Sequence, residues 1–333
     1  MISIICPIYN EEKYIAQCID SLIDQDYPKD DLEVLFVDGR SKDQTRKIVA
    51  EYQKEYSWIK LLDNPEKIVP YAMNYGIAAA KGDVIIRIDA HAIFPSNYIS
   101  TLVHYQKELK ADNVGAVMKT LPANDSIEAK AVATALSSPF GMGNSYFRVG
   151  ATELMEVDTV PFGCYPKEVF DKVGLYDVEL IRNQDDELNG RVIKNGGKIY
   201  IIPNLVITYF ARDTIAKTRR MFYQYGLYKP LVNKKLGSPA TIRQFFPLAF
   251  VLGLIVGLPL CFVNSFFLYI YTFVLIAYLV AAIAFAAKGT KNKREILLLP
   301  FVFLNIHISY GWGYIVGLYK IVTGKKFNVE TNR

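Results

Sequence analysis

A long uncharged stretch near the end of the sequence restricts the folds that this chain of 333 residues can adopt. No Asp, Glu, Lys or Arg occurs from Gln244 to Ala287, which is about twice the roughly 20 residues that cross a bilayer as a helix. Basic residues such as Arg243 and Lys288 flank this stretch on both sides. Since Lys and Arg mark the cytoplasmic side of a membrane, the pattern predicts a hairpin of two helices, roughly residues 245–263 and 266–287.

A second uncharged stretch, from Ile296 to Tyr319, is also long enough for one crossing. A full crossing would place Lys320 and Lys325 on the outer side, against the positive-inside trend. Pro300 and several glycines in this stretch would instead suit a bent, re-entrant or interfacial hairpin. Both arrangements stay open, so residues 236–333 are predicted to form a membrane-attached region with two to three transmembrane or re-entrant helical segments.

The net charge of +5 is modest, and the basic residues gather beside the apolar stretches rather than along an aromatic-interleaved stripe. This distribution favours contact with membrane lipids and argues against a nucleic-acid partner. The four cysteines form no C-x-x-C pair, which is typical of reduced thiols in a cytosolic domain.

The first 235 residues alternate short apolar runs with helical patterns. β-Branched runs such as Ile2–Cys6, Val34–Val37 and Val84–Ile88 are typical of buried parallel strands. The β-α-β-α alternation predicts an α/β fold with a doubly wound, mostly parallel sheet. Further strands are predicted near residues 59–62, 114–119, 157–163 and 198–202, and helices near 11–24, from 41, 69–80, 166–173 and 185–194. Residues 137–152, rich in Gly, Ser, Phe and Met, are predicted to form a mobile loop over the site.

Open α/β sheets bind ligands at the carboxyl ends of their strands, where this sequence places acidic residues. Asp89 and His91, separated by one residue at a predicted strand end, can both reach one divalent cation, Mn²⁺ or Mg²⁺. The imidazole tilts the choice toward Mn²⁺. In the alternative interpretation Asp89 caps the following turn and His91 is an ordinary polar surface residue.

Asp38 ends the second predicted strand, directly before a turn. Ser41 and Gln44 are spaced as a capping box, and Asp43 suits the start of a helix. Helix capping therefore explains those three residues without any function. It does not explain Asp38, whose carboxylate can accept a hydrogen bond from the N–H of a pyrimidine base.

Three consecutive carboxylates, Asp185, Asp186 and Glu187, begin another predicted helix. Crowded like charges raise the pKa of at least one member, which favours a general base. The alternative is a solvated acidic helix start that the helix dipole stabilises.

Several short motifs follow one another along nearly the whole chain. They are Pro7-Ile8-Tyr9-Asn10-Glu11, Val37-Asp38-Gly39, Asn74-Tyr75-Gly76-Ile77, Arg87-Ile88-Asp89-Ala90-His91, Arg182-Asn183-Gln184-Asp185-Asp186-Glu187-Leu188-Asn189 and His307-Ile308-Ser309-Tyr310-Gly311. In this set the chain resembles family 2 glycosyltransferases, which are inverting enzymes with the GT-A fold. Within the family it is most similar to the bacterial membrane-attached type that builds succinoglycan-like exopolysaccharides. The resemblance implies a GT-A domain at residues 1–235, followed by C-terminal membrane helices.

The resemblance also implies roles for individual residues. The donor-binding residues it implies are Pro7, Tyr9, Glu11, Asp38, Asn74, Arg87 and Asp89. Among them, Asp38 would read the base, most often uracil, and Asp89 would face the ribose and the metal-bound diphosphate. Asp185 matches the catalytic base of the family, with Asp186 and Glu187 as candidate phosphate or acceptor contacts.

The residues just before the membrane stretch help to decide between transfer of single sugars and processive synthesis. Arg219, Arg220 and Gln224 are further candidate phosphate or acceptor contacts, unless they simply lie at the lipid headgroups. Processive synthases of the family carry a Q-x-x-R-W motif here, and residues 221–226 lack its Arg-Trp pair. Only three apolar segments follow, which is few for a polymer-conducting channel. Transfer of single sugars is therefore predicted over processive synthesis.

The resemblance thus implies an enzyme of the bacterial cytoplasmic (inner) membrane, with its catalytic domain facing the cytoplasm. Its expected partners are a nucleotide-sugar donor, most often a UDP-sugar, a lipid-linked glycan acceptor and membrane lipids. Asp185 would deprotonate the acceptor hydroxyl, and a divalent cation at Asp89 and His91 would neutralise the leaving diphosphate.

Four other functions remain open from the sequence. A processive polysaccharide synthase would differ in product length. A membrane nucleotidyltransferase or phosphotransferase would also use acidic residues and metal, although the chain has no P-loop signature. A glycoside hydrolase would use two of these carboxylates. A non-enzymatic nucleotide-sugar-binding membrane scaffold would keep its cellular function when Asp185 is replaced by Asn.

Overall fold

The computed structural model describes residues 1–239 and 241–327 of the chain, which divide into two compact units. The first unit comprises residues 1–119 and 150–209, and the second comprises residues 120–149 and 210–327. Each unit is therefore assembled from two separate pieces of the chain.

This division differs from the predicted boundary between residues 235 and 236. Residues 120–149 and 210–235 lie in the same compact unit as the C-terminal apolar helices. Where the catalytic domain ends in functional terms stays a prediction.

Nine strands of the described chain form one sheet. They are β1 Ile2–Ile8, β2 Leu32–Asp38, β3 Ile59–Asp63, β4 Val84–Arg87, β5 Ala92–Ile93, β6 Asn113–Leu121, β7 Met155–Glu156, β8 Cys164–Pro166 and β9 Ile199–Phe210. Their order is β3-β2-β1-β4-β8-β6-β9-β5, and β7 pairs with β9. The order places β1 between β2 and β4, as expected for a doubly wound sheet.

The first four strands form the parallel part of the sheet that the sequence predicted. β1 pairs in parallel with both β2 and β4, and β2 pairs in parallel with β3. Every residue of β1 and β2 is buried, which explains why their sequences are continuous apolar runs rather than alternating ones. The register sets Ile8 beside Asp38 and Ile5 beside Arg87, so these strands end at the same edge of the sheet.

The remaining strands make the sheet mixed. β8 pairs antiparallel with β4 and β6, while β5 and β7 pair antiparallel with β9. The strand predicted at residues 157–163 is wrong, because those residues are irregular and lie between the short strands β7 and β8. Apolar content alone misled the prediction, since Val157 and Val160 are buried without belonging to a strand.

Thirteen helices occur among the described residues. They are α1 Ile15–Ile23, α2 Thr45–Glu55, α3 Val69–Ala79, α4 Tyr98–Glu108, α5 Ile127–Leu136, α6 Pro139–Met142, α7 Tyr146–Val149, α8 Glu168–Val173, α9 Gln184–Lys194, α10 Ile215–Leu236, α11 Phe245–Leu260, α12 Ser265–Gly289 and α13 Lys293–Thr323. In the first unit, α1 buries the predicted apolar face that contains Ile15, Ile19 and Leu22.

The capping box predicted at Ser41 is wrong. α2 begins four residues later, at Thr45, and its N-cap residue Gln44 makes no side-chain capping hydrogen bond. The Ser41 hydroxyl is instead bound to Asp38, and Asp43 accepts a hydrogen bond from the Thr45 backbone N–H. The turn after β2 therefore has its own hydrogen-bonded structure before the helix starts.

In the second unit, α13 packs against α5, α10, α11 and α12. Glycines allow its close approach to α10, because a Cβ at Gly313 would collide with the backbone of Tyr223. Likewise, a Cβ at Gly226 on α10 would collide with the backbone of Tyr310 on α13. Small residues at such positions let two helix backbones meet directly.

Three helices of the described chain are long and apolar enough to cross a membrane: Ile242–Leu260, Ser265–Gly289 and Lys293–Thr323. The first two match the predicted hairpin. The third is one continuous helix that contains Pro300, so the bent hairpin considered for this segment is wrong. Its glycines allow helix packing rather than a bend.

The mobile loop predicted at residues 137–152 is also wrong. This segment contains α6 and α7, and residues up to Val149 belong to the second unit. The ring of Phe140 packs against Phe285, Phe303 and His307, and its carbonyl oxygen lies 2.9 Å from His307 Nε2. Aromatic packing thus orders a segment whose Gly and Ser content is typical of a loop.

Candidate active site

The loops after β1 and β2 are joined by hydrogen bonds at the carboxyl edge of the sheet. The backbone N–H of Asn10 donates to Ser41 Oγ at 2.9 Å, and the Asn10 side chain accepts from the Lys42 N–H at 2.8 Å. The N–H of Glu11 donates to Thr45 Oγ1 at 2.7 Å. These bonds fix the backbone on which the predicted nucleotide-pocket residues stand.

Those residues lie at the end of β1 and just beyond it, and their role in one nucleotide pocket stays a prediction. Pro7 is buried in β1, and Tyr9 just beyond the strand is half-buried beside Gly39. Glu11 is buried, and its Oε1 lies 3.9 Å from Nδ1 of His91. The end of β1 therefore adjoins the Asp-x-His motif that follows β4.

Asp38 is fully buried at the end of β2 and has close partners. Its carboxylate accepts hydrogen bonds from the Ser41 hydroxyl at 2.5 Å and from the Ser41 N–H at 3.1 Å. Arg46 Nη1 lies 2.7 Å from Asp38 and also 2.7 Å from Asp63. These contacts give Asp38 a task in shaping the turn, and its reading of a base stays a prediction.

Asp89 and His91 lie close enough to share a cation. Asp89 Oδ2 is 4.0 Å from His91 Nε2, and the His91 ring packs edge-on against Tyr209 at 5.1 Å between ring centroids. In the part of the chain described, no three His, Cys, Asp or Glu side chains converge on one point. One carboxylate and one imidazole fit Mn²⁺ or Mg²⁺ of the type that is completed by substrate phosphates and water.

Arg87 connects this pair to the predicted base. Its side chain is only 5% exposed, and it forms ion pairs with both Asp185 and Asp89, the latter at 3.3 Å. The two carboxylates raise the pKa of the Arg87 guanidinium above its ordinary value against the opposing effect of burial, so the cation is permanent. The sequence assigned Arg87 only to donor support and missed this bridge, because the partner Asp185 is 98 residues away.

Asp185 stands in the first turn of α9 and keeps 23% of its side chain exposed. Burial raises its pKa above the ordinary value of an aspartate, and the neighbouring Arg87 acts in the opposite direction. Asp186 contributes only a smaller increase. The predicted direction of the shift is thus confirmed, but its main cause is burial rather than crowding by the acidic neighbours.

A buried amide that was given no role in the sequence analysis holds α9 in place. Asn189, one helical turn after Asp185, is fully buried. Its side chain donates to Thr159 Oγ1 at 2.8 Å and accepts from Asn113 Nδ2 at 2.9 Å and Tyr165 OH at 3.2 Å. Because both polar atoms of the buried Asn189 amide have partners, this side chain resists displacement and fixes the position from which Asp185 projects.

The two acidic neighbours of Asp185 differ in their surroundings. Glu187 is buried and pairs with Arg191, whose Nε lies 2.8 Å from Glu187 Oε1. Arg191 also donates to the backbone carbonyls of Val173 and Leu175, so the pair anchors α9 to the end of α8. Asp186 is half-exposed. Their contacts with phosphate or acceptor stay predictions.

The side chain of Asn74 is hydrogen-bonded to the backbone of another segment. Its side chain donates to the Tyr176 carbonyl at 2.9 Å and accepts from the Tyr176 N–H at 3.0 Å. It thereby ties α3 to the segment that leads into α9. Its predicted donor role stays a prediction.

The remaining candidates lie in the second unit. Arg219 and Arg220 are exposed on α10, while Gln224 is buried on the same helix. Their contacts with phosphate or acceptor also stay predictions.

The geometry of the first unit defines what the site can do. At one end of the site, Asp89 and His91 are suited to a cation and a phosphorylated group. At the other end, Asp185 is a carboxylate with a raised pKa. Arg87 holds both ends within reach of a single guanidinium. Such a site can bind a phosphorylated leaving group and deprotonate an incoming nucleophile, which is the chemistry of a group transferase.

Comparison with known proteins identifies the group that is transferred. Residues 3–150 match the model of glycosyl transferase family 2. The chain is 33% identical over 327 residues to a dolichyl N-acetyl-α-D-glucosaminyl phosphate 3-β-D-2,3-diacetamido-2,3-dideoxy-β-D-glucuronosyltransferase of Methanococcus voltae, covering 96% of this chain and 97% of that protein. It is 31% identical over 272 residues to the succinoglycan biosynthesis protein ExoA of Rhizobium meliloti, covering 78% of each. The chain therefore belongs to family 2 of the glycosyltransferases and is an enzyme of that class.

Solved structures confirm the fold. The 1–349 segment of S. aureus TarS in complex with UDP superposes with a TM-score of 0.52 at 16% identity, covering 99% of this chain and 94% of that one. The mannosyltransferase PcManGT of Pyrobaculum calidifontis, in complex with GDP-Man and Mn²⁺, gives 0.55 at 18% identity, covering 97% and 85%. The predicted α/β GT-A fold with apolar C-terminal helices is confirmed, with antiparallel strands added to its parallel part.

Proposed function

We propose that this glycosyltransferase moves a single sugar, with inversion, from a UDP-sugar to a hydroxyl of a lipid-linked glycan during polysaccharide biosynthesis. The bridge of Arg87 between Asp89 and Asp185 is the observation that carries the proposal. The buried guanidinium of Arg87 binds both Asp89, which is suited to the leaving group, and Asp185, which is suited to the acceptor.

The donor would bind at the carboxyl ends of β1, β2 and β4. Tyr9 and Glu11 contribute to this edge, and Asp38 would read the base. The complex of TarS with UDP supports a uridine donor, whereas the complex of PcManGT with GDP-Man makes guanosine the competing choice. Asp89 and His91 would hold a divalent cation, which when bound supplies positive charge for the departing diphosphate.

Asp185 would act as the general base. Its carboxylate takes the proton of the acceptor hydroxyl while that oxygen attacks the anomeric carbon from the face opposite the nucleotide. The bond from the anomeric carbon to the diphosphate oxygen breaks, UDP leaves, and the configuration inverts. Burial favours proton uptake by Asp185, and Arg87 keeps the carboxylate aimed at the acceptor side.

The lipid-linked acceptor follows from the chain and its relatives. Three helices are long and apolar enough to cross a membrane, and a soluble acceptor would not require them. The relative from Methanococcus voltae acts, by its name, on a dolichyl-linked phosphosugar. We infer a position in the cytoplasmic membrane with the catalytic unit on the cytoplasmic side, because Lys and Arg flank the α11–α12 hairpin at both ends.

Single transfer fits the region before the membrane helices better than processive synthesis. α10 carries Met221 to Gly226 where processive members carry Q-x-x-R-W, and the Arg-Trp pair is missing. Products one sugar longer than the acceptor would support this mode. A ladder of products from one acceptor would instead support a processive synthase.

Thermal stability of the detergent-purified full-length protein tests the donor site. We expect UDP with Mn²⁺ to raise the stability, by about 2.7 kcal/mol at a hundredfold excess over Kd, and GDP, CMP and ADP to act less. Asp89→Asn should lose the Mn²⁺-dependent part of the shift. Asp171→Asn, which removes an exposed carboxylate from α8, should keep it. No shift with any nucleotide would contradict the proposed donor site.

A further inference from the structure

A cavity in the second unit is lined by none of the residues named above as candidates for the active site. It measures about 560 Å³ and is lined by α5, the end of α12 and the start of α13. Lys288, on its wall, is the first charged residue after the long uncharged stretch. The cavity therefore lies at the end of α12, a helix that is long and apolar enough to span a membrane.

The close approach of two helices builds the cavity. A Cβ at Gly289, the last residue of α12, would lie 2.7 Å from Cγ2 of Thr134 on α5, and both residues line the cavity. The hydroxyl-bearing side chains of Ser137 and Ser138 extend the same wall. Hydroxyl groups therefore lie on the α5 side of a cavity whose lining is otherwise mostly apolar, at the level where α12 ends.

Two lysines give the cavity positive charge. Lys288 Nζ lies 5.6 Å from the centroid of the Phe285 ring, a cation–π contact that keeps the ammonium at the wall. Lys130 pairs with Asp125 at 3.1 Å, but Asp125 is fully exposed. An ion pair with an exposed partner contributes little, so Lys130 can exchange Asp125 for a bound anion.

Glu295 supplies the second, independent feature of the cavity. Its residue is only 7% exposed, and it lines the cavity in the first turn of α13. Within residues 1–239 and 241–327, its side chain has neither a hydrogen-bond donor nor an ion-pair partner. The carboxylate oxygens of Glu295 are not enclosed, so they can accept hydrogen bonds from an occupant that carries hydroxyl or amide N–H donors.

We propose that this cavity binds the phosphate and the adjoining sugar of the lipid-linked acceptor. Lys130 and Lys288 bind the phosphate oxygens, and Glu295 accepts a hydrogen bond from a hydroxyl or amide of the sugar. The inference rests on the proposed function, which makes the acceptor lipid-linked. The two lysines and Glu295 together give the cavity a net positive charge, which suits a phosphate diester. The volume of the cavity is in the range of sites that bind a small ligand.

The lipid chain has an apolar surface to follow from the cavity. Phe285 forms part of the wall, and the preceding turns of α12 expose Leu279, Val280 and Ile283. A ligand with a phosphosugar head and a hydrocarbon tail would match the charged residues of the cavity and this apolar surface together. A free sugar phosphate would leave the apolar surface unused.

A binding measurement on the full-length protein tests the assignment. The protein is placed in nanodiscs of phosphatidylcholine, and the probe is farnesyl-phosphate-linked N-acetylglucosamine without donor nucleotide. Lys130→Gln combined with Lys288→Gln should weaken probe binding by about tenfold or more, because charge-assisted hydrogen bonds to phosphate are lost. The control, Lys291→Gln combined with Lys293→Gln, removes two exposed charges nearby that do not line the cavity and should leave binding unchanged.

Several results would overturn the assignment. Wild-type affinity in the cavity variant would do so, and so would an equal loss in the control variant, which would indicate attraction to the membrane surface. Competition by phosphatidylglycerol as strong as by unlabelled probe would mean that bulk anionic lipid is the occupant. Competition by inorganic phosphate at the same concentration would mean a free-phosphate site.

Glu295→Gln separates the sugar contact from a structural role. The variant should bind the phosphosugar probe more weakly while binding farnesyl phosphate, which has no sugar, as the wild type does. Equal losses for both probes would contradict the sugar contact. The Mn²⁺-dependent shift with UDP should persist in all these variants, so a wild-type protein without that shift refutes the proposed function, whereas cavity variants with normal probe binding refute this inference alone.

Discussion

The carboxylate at the end of β2 and the two carboxylates beside Arg87 are held by different kinds of partner. Asp38 is fully enclosed and is bound by a hydroxyl, a backbone N–H and Arg46. Asp89 and Asp185 share one buried guanidinium and keep 19% and 23% of their side chains exposed. The first arrangement shapes a turn, and the second leaves charged oxygens accessible to substrate. Motif spacing alone does not distinguish the two.

If the carboxylates beside Arg87 serve catalysis, the largest loss of activity is expected when Asp185 is replaced. Asp185→Asn keeps the shape of the side chain but cannot take a proton, so we expect kcat to fall by about 10²–10⁴-fold. UDP binding, measured by the thermal shift, should stay within about twofold of the wild type, because the donor occupies the other end of the site. Loss of UDP binding together with activity would move Asp185 to a structural role.

The second largest effect is expected at Arg87. Arg87→Met would leave two neighbouring carboxylates without their shared cation, which should lower the free energy of unfolding by about 3 kcal/mol. Denaturation of the purified protein measures this change. Arg87→Lys, which keeps the charge but not the fork of donors, should lose less. An Arg87→Met variant as stable as the wild type would show that the bridge does not hold the site together.

A smaller effect should separate the two tasks of Asp38. Asp38→Asn should cost about 2 kcal/mol of stability, because hydrogen bonds to a charged acceptor are weakened, and should also reduce the affinity for UDP. Arg46→Gln is the matched control, since it removes one partner of the carboxylate but leaves the carboxylate itself. If both variants bind UDP equally well at a temperature where both are folded, Asp38 only shapes the turn.

The smallest effect is a shift in the pH profile. Asp185 must be ionised to act as a base, so kcat/KM should fall as the pH falls through its raised pKa. Asp186 contributes to that increase, and removing its negative charge favours the ionised form of Asp185. The acid limb of the profile for Asp186→Asn should therefore move to lower pH. A shift to higher pH would contradict the assignment of this limb to Asp185.

Local pattern was sufficient for much of the fold. β1, β2 and β4 are short apolar runs whose burial on both faces is visible in the sequence itself, and the α11–α12 hairpin follows from the lack of charge. The pattern failed to predict strands whose formation depends on pairing with distant parts of the chain. Residues 157–163 include buried apolar side chains but belong to no strand, and β8 becomes a strand by antiparallel pairing with β4.

The candidate site shows the same limit. The spacing of Asp89 and His91 and the acidic start of α9 pointed to residues that the structure places near one another. The partnership of Arg87 with Asp185 joins residues that are distant in sequence, so no local rule could find it. The hydrogen-bond network of Asn189 is likewise assembled from β6, β8 and the irregular segment before β8. The sequence does carry one signal of this network, because Asn189 is a polar residue on the buried face of α9.

Transfer of a labelled sugar tests the central claim most directly. Membranes containing the wild-type protein or Asp185→Asn are supplied with a polyprenyl-phosphate-linked N-acetylglucosamine acceptor, Mn²⁺ and a panel of radiolabelled UDP-sugars. The account predicts that one UDP-sugar yields a lipid-extractable product longer by a single sugar, with inverted anomeric configuration, and that Asp185→Asn yields none. Equal label in the lipid fraction from both proteins, or a product that retains the configuration of the donor, would contradict it.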